Sequence, residues 1–135
     1  MKRINYLLLC LVCLCFASAA MSQTKSSKKM QKHSKVLRHV VLFKFKDNTS
    51  PEDVKKVEQA FTALPKKIKT IIGYEWGTNI SPENLAQGFT HCFLVSFKDA
   101  AGRDYYLPHP DHKEFGKVLG PHLDKVLVID FIDQQ

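Results

Sequence analysis

From Arg38 to Lys46 the chain alternates, with His39, Val41, Phe43 and Phe45 on one side and Val40, Leu42, Lys44 and Lys46 on the other. A period of two belongs to a β-strand, because successive side chains leave a pleated backbone on opposite faces. This strand carries apolar residues on both sides, so whatever follows must cover two faces. Asp47-Asn48-Thr49 reads as a turn, and Ser50, Pro51 and Asp53 form a helix start with the spacing of a capping box. Val54, Val57, Phe61, Leu64 and Ile68 then recur at three- and four-residue steps, which gives one apolar helix face. Pro65 is expected to break or kink the last turn.

Ile71 to Ile80 reads as a second strand, with Gly73 and Gly77 marking a bulge or a close approach. Phe89 to Phe97 is a third strand, apolar enough on both faces to be central. A short helix from Ala100 to Tyr106 breaks at Leu107-Pro108-His109-Pro110, and a second helical segment runs to Leu119, where Gly120-Pro121 stops it. Lys125 to Phe131 closes the series as a strand. The order β-α-β-β-α-β predicts an α+β, ferredoxin-like domain: an antiparallel sheet with its helices on one face. Val40, Leu42, Cys92, Leu94, Leu127, Ile129 and Phe131 then share the uncovered face, a larger apolar patch than a monomer usually shows. A back-to-back homodimer is the expected cover.

The residues before this domain read differently. Lys2 and Arg3, an uncharged apolar run from Ile4 to Phe16, and Ala17-Ser18-Ala19 have the form of a secretory signal peptide over 1–20. The run falls short of the ~20 apolar residues of a membrane span. Residues 21–37 form a basic Ser/Lys-rich tail, and the domain occupies 38–135. A secreted or periplasmic protein is expected. Cys10, Cys13 and Cys15 leave with the signal, so Cys92 has no partner for an internal disulfide; it is read as a buried small hydrophobe. The net charge of +7 is an effect of the leader and tail: eight of the twenty basic residues lie at or before Arg38, and all thirteen acidic residues lie after it. A nearly neutral domain argues against nucleic acid, and the tail is expected to make at most weak contacts with anionic surfaces. No glycine-rich loop precedes a helix, which argues against a nucleotide site. Asn48-Thr49-Ser50 and Asn79-Ile80-Ser81 are formal glycosylation sequons, each followed by proline.

Three stretches, HVVLFKFKDNTSPEDVKKVE, SPENLAQGFTHCFLVSFKD and DYYLPHPDHKEFGKVLGPHLDKVLVIDF, resemble the stress-responsive A/B barrel domain (Dabb) family over residues 38–132. The most specific elements are His39 ahead of V-L-F-K-F-K, G-F-T-H at Gly88 to His91, and Y-x-x-H-P-x-H at Tyr106 to His112. The resemblance implies a dimeric α+β barrel. It extends to a plant polyketide cyclase of that family, which closes a β-ketoacyl chain by an aldol step without metal or organic cofactor. By that likeness Tyr106 and His112 are the catalytic pair, while His39, Val41 and Phe43 on the strand and Val57 and Phe61 on the helix line a pocket. Tyr105, Leu107, Pro108, Asp111 and Lys113 differ from that enzyme and leave the substrate open.

The chemistry of the residue types agrees with the likeness. Imidazole titrates near neutral pH and can take a proton from a carbon between carbonyls, and a phenol can donate to the developing enolate. Tyr74, Phe93, His109 and Phe115 complete the candidate pocket, although aromatics at such spacings also build cores. His39 and His91 are equally read as hydrogen-bonded structural histidines, and His109 as a helix cap. His109 and His112, with Asp111 nearby, lack a defined third ligand, so no metal and no cofactor is expected. An exported protein does not meet acyl-thioester intermediates made inside cells. The first expectation is therefore a homodimer whose apolar pocket binds a small hydrophobic or aromatic molecule. A cofactor-independent cyclase or isomerase with His112 as base comes second, and a structural stress-associated dimer third.

Overall fold

The structure, a computed structural model, describes residues 35–134. The expected signal peptide and the tail up to residue 34 lie outside the described residues. The elements are β1 (Leu37–Phe45), α1 (Pro51–Thr62), α2 (Leu64–Lys67), β2 (Ile71–Thr78), β3 (His91–Phe97), α3 (Ala100–Tyr106), α4 (Pro110–Leu119) and β4 (Leu123–Ile132). Ser50 caps α1 as its spacing predicts: its Oγ accepts from the Asp53 amide at 3.1 Å and donates to Asp53 Oδ2 at 2.9 Å. The helix breaks at Ala63, two residues before Pro65, and restarts as α2.

The sheet order is β2-β3-β1-β4 with every pair antiparallel, the ferredoxin-like arrangement. Burial alternates along β1 from Leu37 to Lys44: Leu37, His39, Val41 and Phe43 are buried toward the helices, and Phe45 partly so. They meet Val57, Phe61 and Leu64 from α1 and α2, Phe93, Val95 and Phe97 from β3, and Phe115 and Leu119 from α4. Phe89 and Thr90 lie outside β3, because the chain before it turns through left-handed backbone at Asn84, Gln87 and Gly88. At Gly88 the left-handed backbone (φ 85°) favours glycine, and a Cβ there would lie 2.8 Å from the far end of the flexible Lys44 side chain, which would have to move aside.

Three expectations need correction. The only strand irregularity near the two β2 glycines lies between Ile71 and Gly73, and a Cβ at Gly77 would meet nothing within 4 Å, so Gly77 marks neither a bulge nor a close approach. Cys92 is exposed rather than buried, because alternation turns it to the face without helices, opposite Leu42 and Gly77. The open patch is also wider than the alternation implies. Leu127, Ile129 and Phe131 stand 42–49% exposed as expected, yet Val126 and Val128, on the helix side of the edge strand β4, are 49% exposed too.

Candidate functional site

Pro108 ends α3, and His109 caps α4: the Asp111 amide donates to His109 Nδ1 at 3.2 Å. The break therefore leaves Tyr106 as the last residue of one helix and His112 in the first turn of the next. Their rings meet, with centroids 4.3 Å apart. His112 donates its Nδ1 hydrogen to the Leu107 carbonyl at 2.9 Å, since a carbonyl can only accept. In the neutral ring the lone pair is consequently on Nε2, which has no hydrogen-bond partner among the described residues. Burial pushes the His112 pKa below its ordinary value, and any charge on His39 and His109 acts in the same sense; the Leu107 hydrogen bond opposes them without winning.

Tyr106 is 1% exposed, and burial raises its phenol well above the ordinary value, with the Tyr74 phenol adding to the rise. It is thus a protonated donor at any physiological pH. Its hydroxyl has no protein partner among the described residues, yet it is not among the polar atoms sealed from solvent without one. An unpaired donor at a reachable point of a buried ring is a feature that a ligand oxygen can complete.

Behind this pair, His39 is 5% exposed and its ring lies 5.9 Å from that of Tyr106. The β1–β4 register sets His39 opposite Asp130, and His39 Nδ1 donates to Asp130 Oδ1 at 2.6 Å. Arg103 Nη1 reaches the other oxygen, Oδ2, at 2.8 Å. Burial alone pushes the Asp130 carboxyl up, but the hydrogen bonds and charges of Arg103 and His39 outweigh it, so the group lies below its usual range. Neither Asp130 nor Arg103 was singled out from the sequence. A lone carboxylate in the apolar run KVLVIDF was the available signal, but its meaning depends on strand register. His91 belongs to a separate pair: Nε2 donates to Glu58 Oε1 at 3.0 Å, and Nδ1 bonds Thr90 Oγ1 at 2.9 Å. It is hydrogen-bonded and structural, as expected of it.

The expected pocket residues come together as a packed aromatic layer. Phe61 stacks on Phe93 with centroids 4.3 Å apart and lies 4.7 Å from Phe115, and Phe43 is 5.1 Å from Phe93. Val41 and Val57 are buried in the same core, and Tyr74, half-buried, bonds Thr62 at 3.2 Å. His109 faces Tyr105 instead, with centroids 5.4 Å apart. A recess of about 560 Å³ opens elsewhere, on the face without helices, and none of these nine residues lines it. No local sequence pattern signals it, because its wall is the loop between β2 and β3.

Comparisons with known proteins bear on the family and the fold. The model of the Stress responsive A/B Barrel Domain matches residues 37–133. The Stress-response A/B barrel domain-containing protein HS1 of Arabidopsis thaliana is 39% identical over 95 residues, covering 70% of this chain and 87% of that protein. Olivetolic acid cyclase of Cannabis sativa is 26% identical over 95 residues, covering 70% of this chain and 94% of the cyclase. Among solved structures, hydroxynitrile lyase from Passiflora edulis superposes with a TM-score of 0.71 at 25% identity, covering 76% of this chain and 96% of the lyase. A protein of unknown function from Bacteroides fragilis, described as dimeric with a ferredoxin-like fold, gives a TM-score of 0.59 at 28% identity, covering 71% and 94%.

Proposed function

The chain belongs to the stress-responsive A/B barrel domain family, and on that premise we propose that it acts as an exported homodimer. In each copy, His112 exchanges a proton with a small apolar carbonyl compound whose oxygen is held by Tyr106. The observation that carries this reading is the Nδ1–H bond of His112 to Leu107, which leaves a neutral ring with its basic nitrogen unpaired, beside a phenol whose hydroxyl is also unpaired. Removing a proton next to a carbonyl needs these two groups: a base that is uncharged at working pH, and a donor where negative charge develops on oxygen. Splitting a hydroxynitrile uses the same base differently, since loss of the hydroxyl proton lets the carbonyl form and cyanide depart. The cyclase and the lyase similar to this chain bear names consistent with such chemistry. The homodimer is supported by the description of the Bacteroides protein and by the apolar, uncovered sheet face.

A second reading, binding without turnover, rests on the same two unpaired groups, the His112 Nε2 and the Tyr106 hydroxyl, which can hold a ligand without moving a proton. Two assays separate the readings. Deuterium uptake at the carbon between the carbonyls of ethyl benzoylacetate, followed by proton NMR, reports carbon-acid chemistry. Benzaldehyde release from mandelonitrile reports hydroxynitrile cleavage. In at least one assay the wild type should exceed buffer, and His112→Ala should lose about 10²-fold or more of that excess while keeping its circular dichroism. Equal rates for wild type and His112→Ala in both assays would reject the assignment.

A further inference from the structure

We propose that Arg103 is a positioning residue of the acid–base site: by clamping Asp130 it holds His39 as an uncharged second acceptor beside Tyr106, which fits the site to a carbonyl compound that also carries a hydroxyl group. The clamp joins three elements. Asp130, on β4, accepts from His39 Nδ1, on β1, at 2.6 Å through Oδ1, and from Arg103 Nη1, on α3, at 2.8 Å through Oδ2. With both oxygens engaged the carboxylate is held facing β1, and the imidazole opposite keeps its hydrogen on Nδ1. Arg103 is itself fixed, since its Nε and Nη2 donate to Asp104 Oδ1 at 3.0 and 2.8 Å. The Asp104 side chain is 62% exposed and water screens its charge, whereas those of Arg103 and Asp130 are 25% and 28% exposed.

The other ring nitrogen of His39, Nε2, has no hydrogen-bond partner among the described residues, on a residue only 5% exposed, yet it is not sealed from solvent. A charged ring would place an N–H there with nothing to accept it. A neutral ring leaves a lone pair, the lower-energy state at a buried position. The guanidinium acts in the same direction, because it already balances the carboxylate charge. His39 is faced by Val95 and Phe97 on β3, Asp130 on β4, Arg103 through Asp130 and Tyr106 on α3, and a charge on it would be felt by His112 on α4. Its ring lies 5.9 Å from that of Tyr106, which lies 4.3 Å from that of His112. One phenol donor thus neighbours two bare imidazole nitrogens. A ligand that satisfies all three offers an acceptor to Tyr106, an acidic carbon hydrogen to His112 and a further donor to His39. A hydroxy ketone does so, and a plain ketone leaves His39 unpaired. The roles of Tyr106 and His112 are those of the acid–base reading, on which this assignment rests, but recognition of the hydroxyl can be measured without turnover.

The test measures, by calorimetry on the full chain, the dissociation constants of 2-hydroxyacetophenone, with its hydroxyl on the carbon next to the carbonyl, and of acetophenone, which lacks it. The wild type should bind the hydroxy ketone about tenfold more tightly. Arg103→Met should lose that preference, and Arg103→Lys, which keeps a cation within reach of Asp130, should restore most of it. A merely structural role for Arg103 would weaken both ketones together. Nitrogen-15 NMR of the His39 ring should show a hydrogen on Nδ1 and a bare Nε2 at neutral pH in the wild type. His112→Ala should keep the preference while losing deuterium exchange at the carbon next to the carbonyl. A wild type that prefers the hydroxy ketone yet exchanges neither supports the His39 site and sinks the acid–base reading alone. Equal affinity of the wild type for the two ketones overturns the proposal whether or not Arg103→Met folds, and so does a hydrogen on His39 Nε2. A folded Arg103→Met that retains the preference overturns it as well.

Discussion

Burial acts on Tyr106 and His112 in the same physical way, disfavouring the charged form of each, and the result is a neutral donor beside a neutral base. For His112 the folded-state pKa lies below that of the unfolded chain. Its contribution to stability is therefore whole above the ordinary histidine value of about 6.5 and is lost as pH falls from there toward the folded-state value. The activity should follow the same proton: a plateau at and above neutral pH, and an acid limb with its midpoint below about 6.5. A pH–rate profile with an acid limb centred above that value would mean that the base is another group. The Y-x-x-H-P-x-H segment offers Tyr106 and His112 as a pair through the family resemblance, and its proline break allows the two rings to converge without demanding it; in the structure they lie 4.3 Å apart. The Asp130–His39 contact was not legible, since it joins residues far apart in sequence through a register no local pattern encodes.

Within the elements, capping and alternation told most of the story. Ser50 and Asp53 satisfy each other at the start of α1, so Ser50→Ala should lower the unfolding free energy by about 1 kcal/mol in a urea titration. No change would remove the cap from the account. Strand positions were readable because a half-buried strand must alternate, whereas the loop of residues 79–90 follows its own rule. Its course depends on left-handed turns at Asn84, Gln87 and Gly88, and only Gly88 is a residue type that signals such backbone strongly. That is why β2 and β3 stop short of the expected Ile80 and Phe89, and why the recess could not be seen in advance. Gly77 shows the converse error. A glycine in a strand signals a constraint by its type, and here it faces empty space.

For the molecule as a whole, packing is finished on one side of the sheet and unfinished on the other. The helices close over an aromatic layer, while β4 exposes Val126 and Val128 on one face and Leu127, Ile129 and Phe131 on the other. Fully burying an exposed Ile, Leu or Val side chain stabilises by about 1.5–3 kcal/mol, so completing the burial of these half-exposed ones contributes roughly half of that each and gives two copies a reason to associate. Light scattering should report two chains per particle for the wild type and one for Ile129→Lys, and a monomeric wild type would remove the dimer from the account. The central claim, an uncharged His112 with its free nitrogen turned to the ligand, is tested most directly by nitrogen-15 NMR of the His112 ring across a pH titration. The account expects a hydrogen on Nδ1 and a bare Nε2 at neutral pH, with protonation only below about pH 6.5. A bare Nδ1, or a ring already charged at neutral pH, would contradict it.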